Sequence, residues 1–168
     1  MPPSDAELQT LARCVGAALS RQNARLGAAE SCTGGWIAKV CTDVAGSSAW
    51  FDRGLVTYSN IAKHDLLNVP EALIRDHGAV SEPVVRAMVQ GVGSDHDYSV
   101  AVSGVAGPGG GTPDKPVGLV WFAWRHPAGV TSLSHRFDGD REAVRRQTVA
   151  MALRELLRLI GRNDQPLS

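Results

Sequence analysis

Helical and strand patterns alternate along this chain, with two adjacent strands near the end. That predicts an α/β fold: a single layered domain over residues 1–168, with a mixed β-sheet flanked by helices and a late antiparallel hairpin. Three observations carry the prediction. Apolar residues recur at helical spacing in several segments, short runs of small or β-branched residues separate those segments, and two strand-like runs flank His126-Pro127-Ala128-Gly129. There is no internal repeat, linker or low-complexity stretch.

The elements follow in order. Ser4-Asp5-Ala6-Glu7 is a capping box, and Leu8, Leu11, Val15, Ala18 and Leu19 repeat behind it, predicting a helix to about Arg21. Arg25 to Ala29 reads as a short strand. Trp36, Ile37, Val40 and Cys41 give the next helix an apolar stripe, which Gly46-Ser47-Ser48 ends. Ala49 to Tyr58 alternates as a strand. Ser59-Asn60 caps a short helix carrying Ile61, Leu66 and Leu67, and Pro70-Glu71 opens another that Gly78 closes. Ser81-Glu82-Pro83 starts a helix with Val84, Val85, Met88, Val89 and Val92 inward. Tyr98 to Ser103 is a buried strand, Gly104 to Pro116 a glycine-rich loop, and Val117 to Trp124 with Val130 to Phe137 the hairpin. Asp140 caps a final helix to Ile160, which Gly161 is expected to stop.

Composition narrows the function. Apolar residues make up 43% and charged residues 20%, the balance of an ordinary soluble domain. Seventeen basic and seventeen acidic residues leave no net charge, which argues against direct binding of nucleic acid or an anionic membrane. No secretory signal or membrane-spanning run is visible. Three cysteines without C-x-x-C spacing and five histidines without ligand spacing predict neither disulfides nor a metal, and fit a reducing cytoplasm.

Ala28 to Gly35 is the most informative stretch. Glu30, Ser31, Cys32, Thr33, Gly34 and Gly35 lie between a small-residue strand and an amphipathic helix. Ser31 or Thr33 in that turn is either an N-cap or a group beside the unpaired N–H donors of a helix amino terminus, where a nucleophile finds oxyanion donors ready. Cys32 is the competing nucleophile and Glu30 a competing base. Val56 to Lys63 places Tyr58 at a strand end and Lys63 one turn into the next helix. If both face Ser31, they form a serine–lysine–tyrosine site, and Lys63 needs a depressed pKa to act as its base. Ser47 and Ser48 could line the same cleft or simply form the turn.

Two further features suggest a ligand. Gly104 to Gly111 is no Walker loop, since no G-K-[ST] closes it, and no dinucleotide fingerprint, since a strand follows it. It is a flexible loop after a buried strand, where ligands of α/β sheets tend to lie. Arg141 and Arg145 stand four residues apart at the amino end of the last helix, against its dipole. That placement suits either an anion such as a phosphate or salt bridges to Asp138, Asp140 or Glu142.

Six segments then resemble one family in order: Ala29 to Gly35, Gly46-Ser47-Ser48, Val56 to Asn60, His77 to Ser81, Ser103 to Gly110 and Gly139 to Arg145. The chain is similar to the CinA carboxy-terminal domain family over nearly its whole length. The resemblance implies a stand-alone α/β amidohydrolase that converts nicotinamide mononucleotide to nicotinic acid mononucleotide and ammonia without a cofactor. It sets the family's serine, lysine and tyrosine on Ser31, Lys63 and Tyr58. Glu30, Thr33, Gly34, Gly35, Ser48, Ser103, Gly104 and Gly107 are expected to line the substrate. Arg141 and Arg145 would hold its 5′-phosphate, and N–H groups near Gly34 and Gly35 its oxyanion. Ser48 stands as the alternative nucleophile. Competing expectations are an amidase for another carboxamide and a non-catalytic nucleotide- or partner-binding module linked to competence and DNA damage. A homo-oligomer, a dimer, is expected, with Trp121 or Trp124 as exposed strand aromatics at its interface.

Overall fold

The computed structural model describes residues 1–93 and 96–163. Its elements are α1 (Asp5–Arg21), β1 (Leu26–Glu30), α2 (Trp36–Thr42), a 3-10 turn (Ser47–Ala49), β2 (Phe51–Val56), α3 (Asn60–Leu67), α4 (Glu71–His77), α5 (Glu82–Gly91), β3 (Tyr98–Gly104), β4 (Leu119–His126), β5 (Gly129–Arg136) and α6 (Arg141–Asn163). Among the described residues no helix is long and apolar enough to cross a membrane.

One mixed sheet of order β2-β1-β3-β4-β5 divides the molecule. β1 pairs parallel with both β2 and β3, while β3, β4 and β5 pair antiparallel in turn. Alternation along the strands sends Ala28, Val100, Val102, Phe122 and Trp124 to one face, where α1, α2 and α6 cover them. Ala29, Ala101 and Ala123 go to the other, under α3, α4 and α5. The chain therefore leaves β1 for β2 across one face and returns past β1 to β3 across the other. That makes the carboxyl ends of β1 and β3 a topological switch point, the place where open α/β sheets bind ligands.

The capping box at Ser4 forms as read, with the Glu7 N–H donating to Ser4 Oγ and the Ser4 N–H to Glu7 Oε2. Three expectations need correction, and α3 faces otherwise than its hydropathy suggests. Strand β2 starts at Phe51, because Ala49 and Trp50 finish the 3-10 turn, and ends before Thr57 and Tyr58. Ile61 and Leu66 are 73% and 53% exposed, because α3 turns Lys63 and Leu67, one turn apart, inward instead. Gly161 does not stop α6. Asn163 Nδ2 donates to the Tyr98 hydroxyl, which donates to Gln22 Oε1, while Gln22 Nε2 donates to the Ile160 carbonyl, and this network holds the last turn. Trp124 is not an exposed aromatic: it lies in the core, stacked on Phe122 with centroids 5.5 Å apart, its indole N–H donating to the Ala152 carbonyl. Trp121 is half-buried beside the α5 layer.

Candidate active site

The site begins where β1 runs out. Glu30 is its last residue, and the Ser31 N–H extends the β3 ladder by donating to the Val102 carbonyl at 3.1 Å. Sheet alternation turns Glu30 towards α2 and Ser31 towards α3. On the far side of β1, Thr57 follows β2 with its N–H donating to the Glu30 carbonyl at 2.8 Å. Tyr58 and Ser59 then lead into α3, whose N-cap Ser59 Oγ accepts from the Ala62 N–H. α3 is pressed onto α5 so closely that a Cβ on Gly91 would lie 1.9 Å from the Leu67 carbonyl oxygen. Only glycine allows that approach.

Lys63 is 1% exposed and Ser31 8%. Nζ of Lys63 lies 3.0 Å from Ser31 Oγ, 2.7 Å from the Thr57 carbonyl and 3.4 Å from the Tyr58 carbonyl. Two carbonyls accept the two N–H bonds of an uncharged amine, which leaves its lone pair for the Ser31 hydroxyl proton. Burial, with no carboxylate beside it, lowers the Lys63 pKa to about 8. The buried, hydrogen-bonded amine–hydroxyl pair can abstract a proton and present an alkoxide. Cys32, buried among apolar neighbours, has its thiol pushed up to about 12 and is no thiolate at neutral pH.

Glu30 is placed otherwise than expected. It is fully buried and faces α2, where its carboxylate accepts from Thr33 Oγ1 at 2.6 Å, the Ile37 N–H at 2.9 Å and the Ala38 N–H at 3.0 Å. Burial raises its pKa against those three bonds, which favour the carboxylate. Glu30 is the acceptor for the first turn of α2 and does not touch the cleft. The same bonds overturn the expectation of free donors near Gly34 and Gly35. Gly34 N–H donates to the Ser31 carbonyl at 3.1 Å, Trp36 N–H to the Thr33 carbonyl at 3.2 Å, and the donors beyond them go to Glu30. Gly34 and Gly35, at φ of 61° and 95°, instead bend the chain from the Ser31 turn into α2.

A cleft of about 200 Å³ opens on Ser31, Lys63, Tyr58, Ser103, Gly104 and Arg141, closed by Cys32, Ala79, Val80 and Ala106. A wider hollow of about 690 Å³ lies beside it, lined by Thr33, Gly34, Gly35, Trp36, Arg145 and others, and Arg141 borders both. Ser48 joins neither. Its 3-10 turn precedes Phe51, which pairs with Leu26 at the start of β1. That sets it roughly 15 Å of strand away from Ser31, at the opposite end of the sheet. Tyr58 is 62% exposed at the rim, its hydroxyl accepting from Arg141 Nη2 at 3.1 Å rather than meeting Ser31.

The two arginines meet no carboxylate among the described residues. Arg141 Nη1 donates to the Gly107 carbonyl at 2.8 Å, tying the glycine loop to α6. Arg145 Nε and Nη2 donate to the carbonyls of Cys32 and Thr33, each at 3.0 Å, bracing the turn that carries Ser31. Glu142 pairs instead with Arg146, as does Asp5, and Asp140 accepts from the Ala143 N–H. Ala79 and Val80 were not expected at the site, although they fall in the resembling segment His77 to Ser81. The Lys115 ammonium donates to the His77 carbonyl and draws the glycine loop down beside them.

Residues 8–160 match the family model described as the CinA C-terminal domain. The chain is 54% identical over 157 residues to the nicotinamide-nucleotide amidohydrolase PncC of Escherichia coli (strain K12), spanning 91% of this chain and 94% of that protein. With the protein of the same name from Pseudomonas putida it shares 57% over 154 residues, 90% and 96% of the two chains. A solved CinA superfamily protein from Klebsiella pneumoniae superposes with a TM-score of 0.88 at 38% identity, covering 92% of this chain and 98% of that one. The competence/damage inducible protein CihA from Agrobacterium tumefaciens gives 0.86 at 41%, covering 95% and 98%. The chain belongs to the CinA C-terminal domain family.

Proposed function

We propose that this protein is an amidohydrolase that deamidates nicotinamide mononucleotide to nicotinic acid mononucleotide and ammonia, with Ser31 as nucleophile and Lys63 as its base. One observation carries the chemistry: a buried lysine amine, its pKa brought towards neutrality, 3.0 Å from a buried serine hydroxyl in a ligand-sized cleft. The names of relatives more than half identical over nearly the whole chain support the substrate.

In this reading Ser31 Oγ attacks the carboxamide carbon as its proton moves to Lys63 Nζ. The proton passes on to the departing nitrogen, ammonia leaves, and water activated by Lys63 hydrolyses the ester on Ser31. The N–H groups of Cys32 and Thr33 donate to no backbone carbonyl among the described residues. Directly after the nucleophile, they are the donors for the oxyanion. Arg141, at the rim without a carboxylate partner, faces the 5′-phosphate together with the unused edge of Arg145. Gly104 lines the nucleotide side, Gly107, outside the cleft lining, holds Arg141 through its carbonyl, and Tyr58 orients Arg141. The pyridinium cation, arriving near Lys63, depresses the lysine further, so the substrate helps prepare its own base.

The test is ammonia release from nicotinamide mononucleotide by the purified protein, with Ser31→Ala and Lys63→Ala in parallel. Release by the wild type that both variants lose supports the reading. Undiminished release by either variant refutes its role, and a wild type that binds the nucleotide without releasing ammonia makes the protein a binding module.

A further inference from the structure

Ser103 brings a buried hydroxyl without a partner to the cleft. The residue is 1% exposed, and its Oγ makes no hydrogen bond among the described residues. Native interiors seldom leave such a group unmatched unless a ligand completes it. Sheet register sets its position. Glu30 lies opposite Val102 in the parallel β1–β3 pair, and the Ser31 N–H continues that ladder. One residue further, Ser31 and Ser103 are lateral neighbours on strands about 4.8 Å apart. Ala29 and Ala101, two residues earlier, both face the α3–α5 layer, so Ser31 and Ser103 face it too, on the side of Lys63.

Thr57 flanks Ser31 on the other strand, following the Glu30–Val56 pair, and its Oγ1 is also buried without a partner. Thr57 does not line the cleft, however, and Ser103 does. The remaining hydroxyls there are engaged: Ser31 with Lys63, and Tyr58 with Arg141. A carboxamide entering this space buries two N–H donors as well as its carbonyl. The walls formed by Cys32, Ala79, Val80 and Ala106 offer no side-chain oxygen to receive them.

We propose that Ser103 Oγ accepts an N–H of the substrate's carboxamide, holding the nitrogen that leaves and selecting amides over esters of the same shape. The proposal rests on Ser31 being the nucleophile of a carboxamide hydrolysis. A site built around an N–H acceptor leaves that N–H buried and unpaired when the acceptor is removed, a loss of about tenfold to a hundredfold in kcat/KM.

The experiment compares wild type, Ser103→Ala and Ser103→Thr on two substrates, nicotinamide mononucleotide and the methyl ester of nicotinic acid mononucleotide, which lacks the N–H. Thermal melts establish that each variant is folded. Ser103→Ala should lose about tenfold to a hundredfold on the amide and stay within about twofold on the ester, while Ser103→Thr, retaining a hydroxyl, recovers most amide turnover. Equal losses on both substrates, or no loss on the amide, overturn the proposal. Ser31→Ala is run alongside: full ammonia release by that variant defeats the nucleophile assignment itself, whatever Ser103 does.

Discussion

Raising the pH from about 6.5 to about 9.5 should increase kcat/KM along a curve drawn by Lys63, because the base must be uncharged to accept the Ser31 proton. With its pKa at about 8, roughly a tenth of Lys63 is neutral at pH 7, against about three in ten thousand for a lysine at its ordinary value. Burial therefore supplies about 300-fold more active base at neutral pH. Across the stated window the neutral fraction climbs about 30-fold, most of it below pH 8.5, and then levels. An unperturbed lysine would instead give a rise of about 1000-fold with no plateau. The assay is ammonia release at subsaturating nicotinamide mononucleotide. It starts at about 6.5 because the substrate's phosphate itself titrates near 6. The kcat profile should bend at lower pH than the kcat/KM profile, since the bound pyridinium cation depresses Lys63 further. A flat profile, or one still climbing steadily at 9.5, would refute the reasoning.

Other outcomes follow from the same contacts. Lys63→Met should abolish turnover and flatten the pH dependence of stability. A folded-state lysine pKa below the unfolded value takes stability away from the wild type as pH falls from about 10.5 to about 8, and urea melts across that window should show this loss in the wild type and not in the variant. Glu30→Ala should destabilise the protein by about 3 kcal/mol or more in the same melts, because two N–H groups and the Thr33 hydroxyl lose their acceptor inside the core. Arg141→Ala should raise KM for the mononucleotide by about tenfold and affect the dephosphorylated nucleoside far less; equal effects on both would exclude phosphate contact. Arg145→Ala, which frees the Cys32 and Thr33 carbonyls and removes an edge facing the phosphate, should lower kcat by about tenfold and also raise KM for the mononucleotide.

Much of the fold was legible because local signals and tertiary packing agree here. Ser4 with Glu7, Pro83 near the start of α5 and Gly78 after α4 each mark a boundary where the structure has one. Gly161 misled because a glycine stops a helix only where the chain turns left-handed, and hydrogen bonds from Asn163 and Gln22 keep this one helical. The burial of Lys63 decides which side of α3 faces inward and leaves Ile61 and Leu66 outside, a facing that hydropathy alone does not reveal.

The site was legible in part. Ser31, Lys63, Ser103 and Arg141 do converge on one cleft. Ser48 was misplaced because a short loop before a parallel strand lies at the end of the sheet opposite the one that binds. Glu30 was misread because adjacency along a strand puts neighbours on opposite faces: Ser31 turns to α3 and Glu30 to α2. The donors near Gly34 and Gly35 were unavailable for the same reason, since a buried carboxylate beneath α2 takes its first N–H groups. Ala79 and Val80 carry no chemical signal, and only the folded chain brings them over Ser31.

Rapid-quench mass spectrometry on the wild type offers the most direct test that the serine–lysine pair performs covalent hydrolysis. Mixed with nicotinamide mononucleotide and stopped in acid within the first turnover, the protein should carry the substrate's mass less ammonia on the peptide containing Ser31, with ammonia ahead of the free acid. Ammonia and acid appearing together with Ser31 unmodified, or an adduct on Cys32, would contradict it.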